Sequence, residues 1–250
     1  MMLNNKYAII TGASTERDIG TAICRKLASQ GINIFFTHWN SDDLWAENFR
    51  QEIIKMGCQC ECLKIDLSHP DAAYTILDTV VLKLGTPAVL INNAAHSTND
   101  GYQNLNGKIL DDHYAVNMRT VFLLCVEFAR RFKVAELEAG SIVNMTSGQE
   151  LGPMPNELAY AATKGAISAF TRSLSQELAS IGITVNAVNP GPTDSTWMTD
   201  EIREGLLPKF PMGRIGLPKD VARTIAFLVS EEARWITGQT IHSEGGFIRG

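Results

Sequence analysis

The 250-residue sequence has no excess of positive charge, no long apolar run and no even set of cysteines. Its 22 Lys and Arg stand against 27 Asp and Glu, a net charge of -5, so no basic field draws in a phosphate backbone or an anionic membrane surface. No window reaches the roughly 18 consecutive apolar residues of a membrane span. The start, Met1-Met2-Leu3-Asn4-Asn5-Lys6, has no apolar signal core. These absences predict a cytoplasmic protein without a nucleic-acid or membrane partner. Five cysteines, an odd number, argue against a disulfide framework. Cys58, Cys60 and Cys62 alternate, which puts all three on one strand face, whereas zinc sites favour CxxC turns that wrap the metal. They are read as buried strand residues, with no metal. Linkers, repeats and low-complexity tracts are also missing, and a chain of this length with 45% hydrophobic residues fills a single domain over 1–250.

What the chain does have is alternation. Strand-like runs at 6–11, 32–37, 59–65, 87–91, 140–146, 183–188 and 239–242 are separated by helical patterns near 19–30, 42–56, 70–84, 108–133, 158–181 and 218–230. That order predicts an α/β doubly wound Rossmann fold, a seven-stranded parallel sheet with helices on both faces. Ligands of such sheets bind beyond the C-terminal strand ends. There the sequence places Thr11-Gly12, Thr37-His38-Trp39, Asp66-Leu67, Asn92-Asn93-Ala94-Ala95, Ser147-Gly148 and Pro190-Gly191. Six small or polar turns along one edge make a cleft long enough for a dinucleotide.

Chemistry is concentrated in Tyr160-Ala161-Ala162-Thr163-Lys164, where a helical pattern sets a phenol and an ammonium on one face. A cation beside a phenol favours the phenolate and so eases proton exchange. Ser147 follows the run 141–146 and is delivered to the same cleft, although Ser147-Gly148 is also an ordinary turn. Asn117 falls in the helix behind it, where a backbone bond within the helix is an equal alternative.

Taken together and in order, Thr11-Gly12, Asn92-Asn93-Ala94, Asn117, Ser147, Tyr160, Lys164, Asn189-Pro190-Gly191, Gly238-Gln239 and Gly245-Gly246 resemble the short-chain dehydrogenase/reductase family over essentially the whole chain. Within it, the chain looks most like the 3-oxoacyl-(acyl carrier protein) reductases. The resemblance implies Tyr160 as general acid or base, Ser147 as the hydrogen-bond partner of the reacting oxygen, and Lys164 as the residue that binds the nicotinamide ribose and lowers the pKa of Tyr160. Asn117 would hold a water linking Lys164 to solvent. Asp66 fits the position that accepts the adenine amino group, or else caps a helix.

The phosphate turn departs from the family pattern. In Thr11-Gly12-Ala13-Ser14-Thr15-Glu16-Arg17-Asp18-Ile19-Gly20, Thr15-Glu16 is an insertion and Asp18 stands where a glycine normally lets the backbone approach the pyrophosphate. The expectation is that Asp18 N-caps the helix opening at Ile19 and that both Glu16 and Asp18 point away from the cleft. The cofactor expected is NADP(H) in preference to NAD(H). No acid ends the second strand to repel a 2'-phosphate, Arg17 takes the place of a phosphate-binding arginine, and His38 is near enough to assist. The dinucleotide would lie along Gly12, Ser14, Arg17, Ile19, Gly20, His38, Asp66, Leu67, Asn93, Ala94, Tyr160, Lys164, Pro190, Gly191 and Thr193.

A substrate loop is expected at 193–211, with Trp197, Met198 and Phe210 as pocket walls or core and His96, Gln149, Met154 and Trp197 facing the substrate. Arg119, Arg130, Arg131 and Lys133 are candidates for a basic rim that would receive an acyl carrier protein. The substrate implied is a small carbonyl compound or an acyl thioester. Related activities on sugars, polyols or small ketones remain alternatives, as does a non-catalytic NADP(H)-binding sensor or scaffold. Enoyl reduction fits less well, because position 167, seven beyond Tyr160, is isoleucine. Ala159, Ala162, Ala166 and Ala169 recur at helical spacing, and the resemblance implies a homotetramer built over that helix.

Overall fold

A computed structural model describes residues 6–249. The stretch Met1–Asn5, on which the absence of a signal core was read, lies outside the described residues. Seven strands, β1 (Tyr7–Ile10), β2 (Asn33–His38), β3 (Cys60–Lys64), β4 (Val89–Asn92), β5 (Gly140–Met145), β6 (Ile183–Asn189) and β7 (Thr240–His242), form one parallel sheet in the order β3-β2-β1-β4-β5-β6-β7. The order reverses between β1 and β4, and the crevice opens at that point, above the strand ends.

Side-chain alternation divides the apolar residues between two cores. Ala8, Ile10, Ile34 and Phe36 face one core, while Ile9, Phe35, Leu90 and Ile142 face the other. The first is closed by α1 (Ile19–Ala28), α2 (Asp43–Lys55) and α8 (Pro218–Leu228). The second is closed by α3 (Ala72–Lys83), α5 (Val121–Val134) and α6 (Leu158–Leu178). Cys58 and Cys60 lie in the first core and Cys62 packs against it. Burial, the main cause, pushes all three thiols above their ordinary range, which makes them poor nucleophiles.

Two elements differ from the sequence expectation. The single helix expected at 108–133 is three pieces: α4 (Gly107–Tyr114), a π-helical turn over Ala115–Thr120, and α5. The substrate loop contains a short helix of its own, α7 (Asp200–Leu206), started by the Thr199 hydroxyl accepting from the Ile202 N–H. No helix among the described residues is long and apolar enough to cross a membrane.

Candidate active site

Above the switch point lies a cleft of about 890 Å³. One end is lined by Thr37, His38, Trp39, Ile65 and Leu67, the middle by Gly12, Ser14, Asp18, Ile19, Asn93 and Ala94, and the other end by Ser147, Tyr160, Pro190, Gly191 and Thr193. Most of the residues assigned to a dinucleotide from the sequence are thus gathered in one groove.

Its floor is braced locally. Gly12 has φ +76°, and a Cβ there would lie 2.8 Å from the Ala94 backbone. A Cβ on Gly20 would run into the Gly12 carbonyl oxygen, so only glycine lets α1 start this close to the strand. The Thr11 hydroxyl accepts from the N–H groups of Asn93 and Ala94 at 3.0 and 3.1 Å. Asn93 Nδ2 in turn donates to the carbonyls of Thr11 and Gly12, both at 2.9 Å.

At the catalytic end, α6 supplies Tyr160 and Lys164, and the end of β5 supplies Ser147. Lys164 is 2% exposed; its Nζ donates to the Met145 carbonyl at 2.8 Å and lies 5.4 Å from the centre of the Tyr160 ring. Burial pushes the ammonium down to about 8. Burial also pushes the Tyr160 phenol up to about 12, with the Glu157 charge adding to the rise and a hydrogen bond with the Ser147 hydroxyl opposing it. Burial sets the direction of the Tyr160 shift, and the Lys164 Nζ is held by the Met145 carbonyl.

Asn117 sits in the π-helical turn and is fully buried. Its Oδ1 accepts from the His96 N–H at 2.8 Å, and its Nδ2 donates to the His96 carbonyl at 2.8 Å and the Thr163 hydroxyl at 3.1 Å. Both amide donors are therefore spent tying the chain beyond β4 to α6, and the side chain acts as a brace. Sequence reasoning passed over a second brace, Asp100. Its Oδ1 and Oδ2 accept from the N–H groups of Leu158 and Ala159, each at 2.8 Å, capping the helix that carries Tyr160. Burial opposes ionisation of Asp100, but the N–H donors of Ala159, Gly101 and Leu158, with His113 nearby, outweigh it and hold the carboxyl below its ordinary value. An aspartate 58 residues from its helix offers no local capping pattern to find.

Several sequence assignments are corrected by the geometry. Arg17 does not reach the cleft: its Nη2 donates to Asp194 at 2.8 Å, and it lines a separate groove with Glu16, Arg25 and Lys219. Asp66 is not on the cleft wall, and it caps no helix either: its Oδ1 accepts from the Ser68 N–H at 2.8 Å within a turn, while α3 begins only at Ala72, after Asp71. His96 turns its ring onto His113, 4.7 Å between centroids, away from the cleft. Gln149 is also off the wall, its amide bonded to the Thr146 and Ser168 hydroxyls at 3.1 and 3.3 Å. Glu16 points away, paired with Arg25 at 2.7 Å, but Asp18 does not, and it makes no side-chain cap on α1.

The four basic residues do not ring the mouth. Arg130, Arg131 and Lys133 occupy the last turns of α5, which lead into the start of β5 at the opposite sheet edge; Arg119 donates to the Ser68 carbonyl. Of the expected pocket walls, Met154 and Trp197 line the cleft, whereas Met198 and Phe210 form a small core with Ile215.

The chain's C-terminal segment adds two wall residues the sequence did not suggest, Phe247 and Arg249. Arg249 donates to both carboxylate oxygens of Glu244, at 2.7 and 2.5 Å, and lies where a Cβ on Gly148 would stand.

A parallel sheet of this order, with Ser147, Tyr160, Lys164 and Asn117 gathered at its switch point, matches known proteins over its whole length. A family model described as enoyl-(acyl carrier protein) reductase matches residues 12–248. The uncharacterized oxidoreductase YjdA of Bacillus subtilis is 74% identical, the match covering 98% of each chain. The 3-oxoacyl-[acyl-carrier-protein] reductase FabG of Staphylococcus aureus is 35% identical over 98% of this chain and 99% of that protein. Among solved structures, acetoin dehydrogenase YohF of Salmonella typhimurium superposes with a TM-score of 0.87 at 32% identity, covering 97% and 96% of the two chains. The chain belongs to the short-chain dehydrogenase/reductase family and is an oxidoreductase of CH–OH and C=O groups.

Proposed function

We infer that the protein is an NADP(H)-dependent carbonyl reductase or alcohol dehydrogenase, with 3-oxoacyl thioesters, on an acyl carrier protein or free, as its first candidate substrates. The observation that carries this reading is that Ser147 and Tyr160 line one end of a long cleft, with the buried Lys164 behind them, its Nζ 5.4 Å from the Tyr160 ring. The cleft fits the cofactor at both ends: small and polar residues at the ends of β1, β2, β4 and β6 would hold it from adenosine to nicotinamide. The fit is interrupted only at Asp18. NADP(H) is favoured over NAD(H) because Thr37, His38 and Trp39 put no carboxylate into the adenosine end. Arg17, paired with Asp194 outside the cleft, adds nothing to that preference. Burial, opposed by Asp43 and reinforced by Lys64, holds His38 below its ordinary pKa, and its Nδ1 is bonded to the Ser41 hydroxyl at 2.6 Å.

The nicotinamide supplies or takes up hydride when bound. The chain's own residues handle the oxygen and its proton. Ser147 donates a hydrogen bond to the substrate oxygen and favours the charge that develops there. Tyr160, protonated throughout the physiological range, gives that oxygen its proton in reduction. Lys164 would bind the ribose and, once drawn from the Met145 carbonyl, ease loss of the phenolic proton.

A second reading, a small hydroxyketone or diketone substrate, is favoured by Phe247 and Arg249, which crowd the substrate end beside Trp197 and Met154. Comparing kcat/KM for a 3-oxoacyl thioester with that for acetoin and diacetyl decides between the two. A binding-only protein would bind cofactor without turning over either substrate. Of the four alanines of α6, Ala159 is buried within the chain and Ala166 partly so, while Ala162 and Ala169 are exposed, suit close packing of a second copy and support the homotetramer. Sedimentation at micromolar concentration is expected to give four chains; a monomer removes that assignment.

A further inference from the structure

The loop between β1 and α1 already holds an anion, and that anion is its own. Asp18 Oδ2 accepts from the backbone N–H groups of Ser14 at 3.0 Å and Thr15 at 2.8 Å, while its Oδ1 accepts from the Thr196 hydroxyl at 3.3 Å. Although Asp18 occupies the N-cap position of the ten-residue helix α1, it leaves the helix's own first amides alone and turns back into the loop. It borders the dinucleotide cleft together with Ser14. Two N–H donors converging on one carboxylate oxygen at a helix start present the arrangement that phosphate oxygens use. The neighbouring cation does not offset the carboxylate, because Arg17 is turned into the adjoining groove and paired with Asp194.

We propose that Asp18 is an internal phosphate mimic, which holds the loop's anion donors until a dinucleotide displaces it and so sets the affinity for the cofactor. The proposal rests on the dinucleotide reading of the cleft. The pyrophosphate is common to NADH and NADPH, so Asp18 weakens both equally and leaves the choice between them to the end of β2. Displacement also breaks the contact with Thr196. The substrate loop then loses one of its two ties to the phosphate loop and keeps the other, Arg17 to Asp194. Nucleotide entry thereby loosens the segment that carries Trp197.

Calorimetric titration of NADPH, NADH, ADP and adenosine into the wild-type, Asp18→Gly and Asp18→Asn proteins tests this. Asp18→Gly is expected to bind NADPH, NADH and ADP about tenfold more tightly, with the NADPH to NADH ratio unchanged and adenosine, which has no phosphate, unaffected. Asp18→Asn keeps an uncharged acceptor for the same amides and is expected to gain less. Unchanged or weaker dinucleotide binding in both variants overturns the proposal and makes Asp18 an organiser of the loop, leaving the dinucleotide reading intact. If wild type and variants all fail to bind either dinucleotide, that reading falls and the proposal falls with it.

Discussion

Lys164 shows what an active site costs at the scale of one residue. Its side chain is buried and bonded to the Met145 carbonyl, and its pKa falls from the usual 10.5 to about 8. The folded state therefore binds fewer protons than the unfolded chain between those values. The buried charge costs about 3 kcal/mol below pH 8, and the cost is relieved as pH rises toward 10.5. Tyr160 acts in the opposite sense, because its raised pKa loses stability for the fold as pH climbs from 10 to about 12. Lys164→Met is expected to raise the unfolding free energy at neutral pH by about 1–3 kcal/mol, to abolish the gain between about pH 8 and pH 10, and to lower turnover by at least about a hundredfold. Urea unfolding across that range checks it, and a variant less stable than wild type at neutral pH contradicts it. The Tyr160–Lys164 pair was legible in the sequence because helical spacing alone puts them on one face. The carbonyl that occupies Lys164 was not, since Met145 lies on β5, apart in sequence from α6.

Elements were legible where a run of residues announces them, and less so where a distant contact decides. Alternation in β1 and β2 fixed which residues face which core. The π-helical turn at Ala115–Thr120 shows no break in apolar periodicity, yet it presents Asn117 to the chain beyond β4. The reach of Asp18 was misjudged for a related reason. Capping preference favours an aspartate serving its own helix, whereas the loop amides of Ser14 and Thr15, the second of them in the insertion, compete for the same carboxylate. Gly20 makes an element-scale prediction. Gly20→Ala drives a methyl into the Gly12 carbonyl and must shift α1 away from the loop. A stability loss of about 1–3 kcal/mol and at least tenfold weaker cofactor binding are expected, read by thermal unfolding and calorimetry. Wild-type affinity would show that the loop yields without affecting the site.

Across the whole molecule, fold and family were readable from the order of small polar turns, because a parallel sheet sends every C-terminal strand end to one edge. Substrate identity was not, since the mouth is built from segments far apart in sequence: Trp197 and Met154 on two loops, and Phe247 and Arg249 folded back from the end of the chain. The basic rim failed for the same reason, helix α5 having carried its arginines to the opposite edge. The measurement that bears most directly on the account is turnover of the wild-type and Tyr160→Phe proteins with NADPH and NADH on 3-oxoacyl thioesters, acetoin and diacetyl, with cofactor binding measured alongside. The account predicts NADPH-preferring reduction by the wild type, and at least about a thousandfold loss in Tyr160→Phe with cofactor binding retained. Turnover in Tyr160→Phe at the wild-type rate would contradict it.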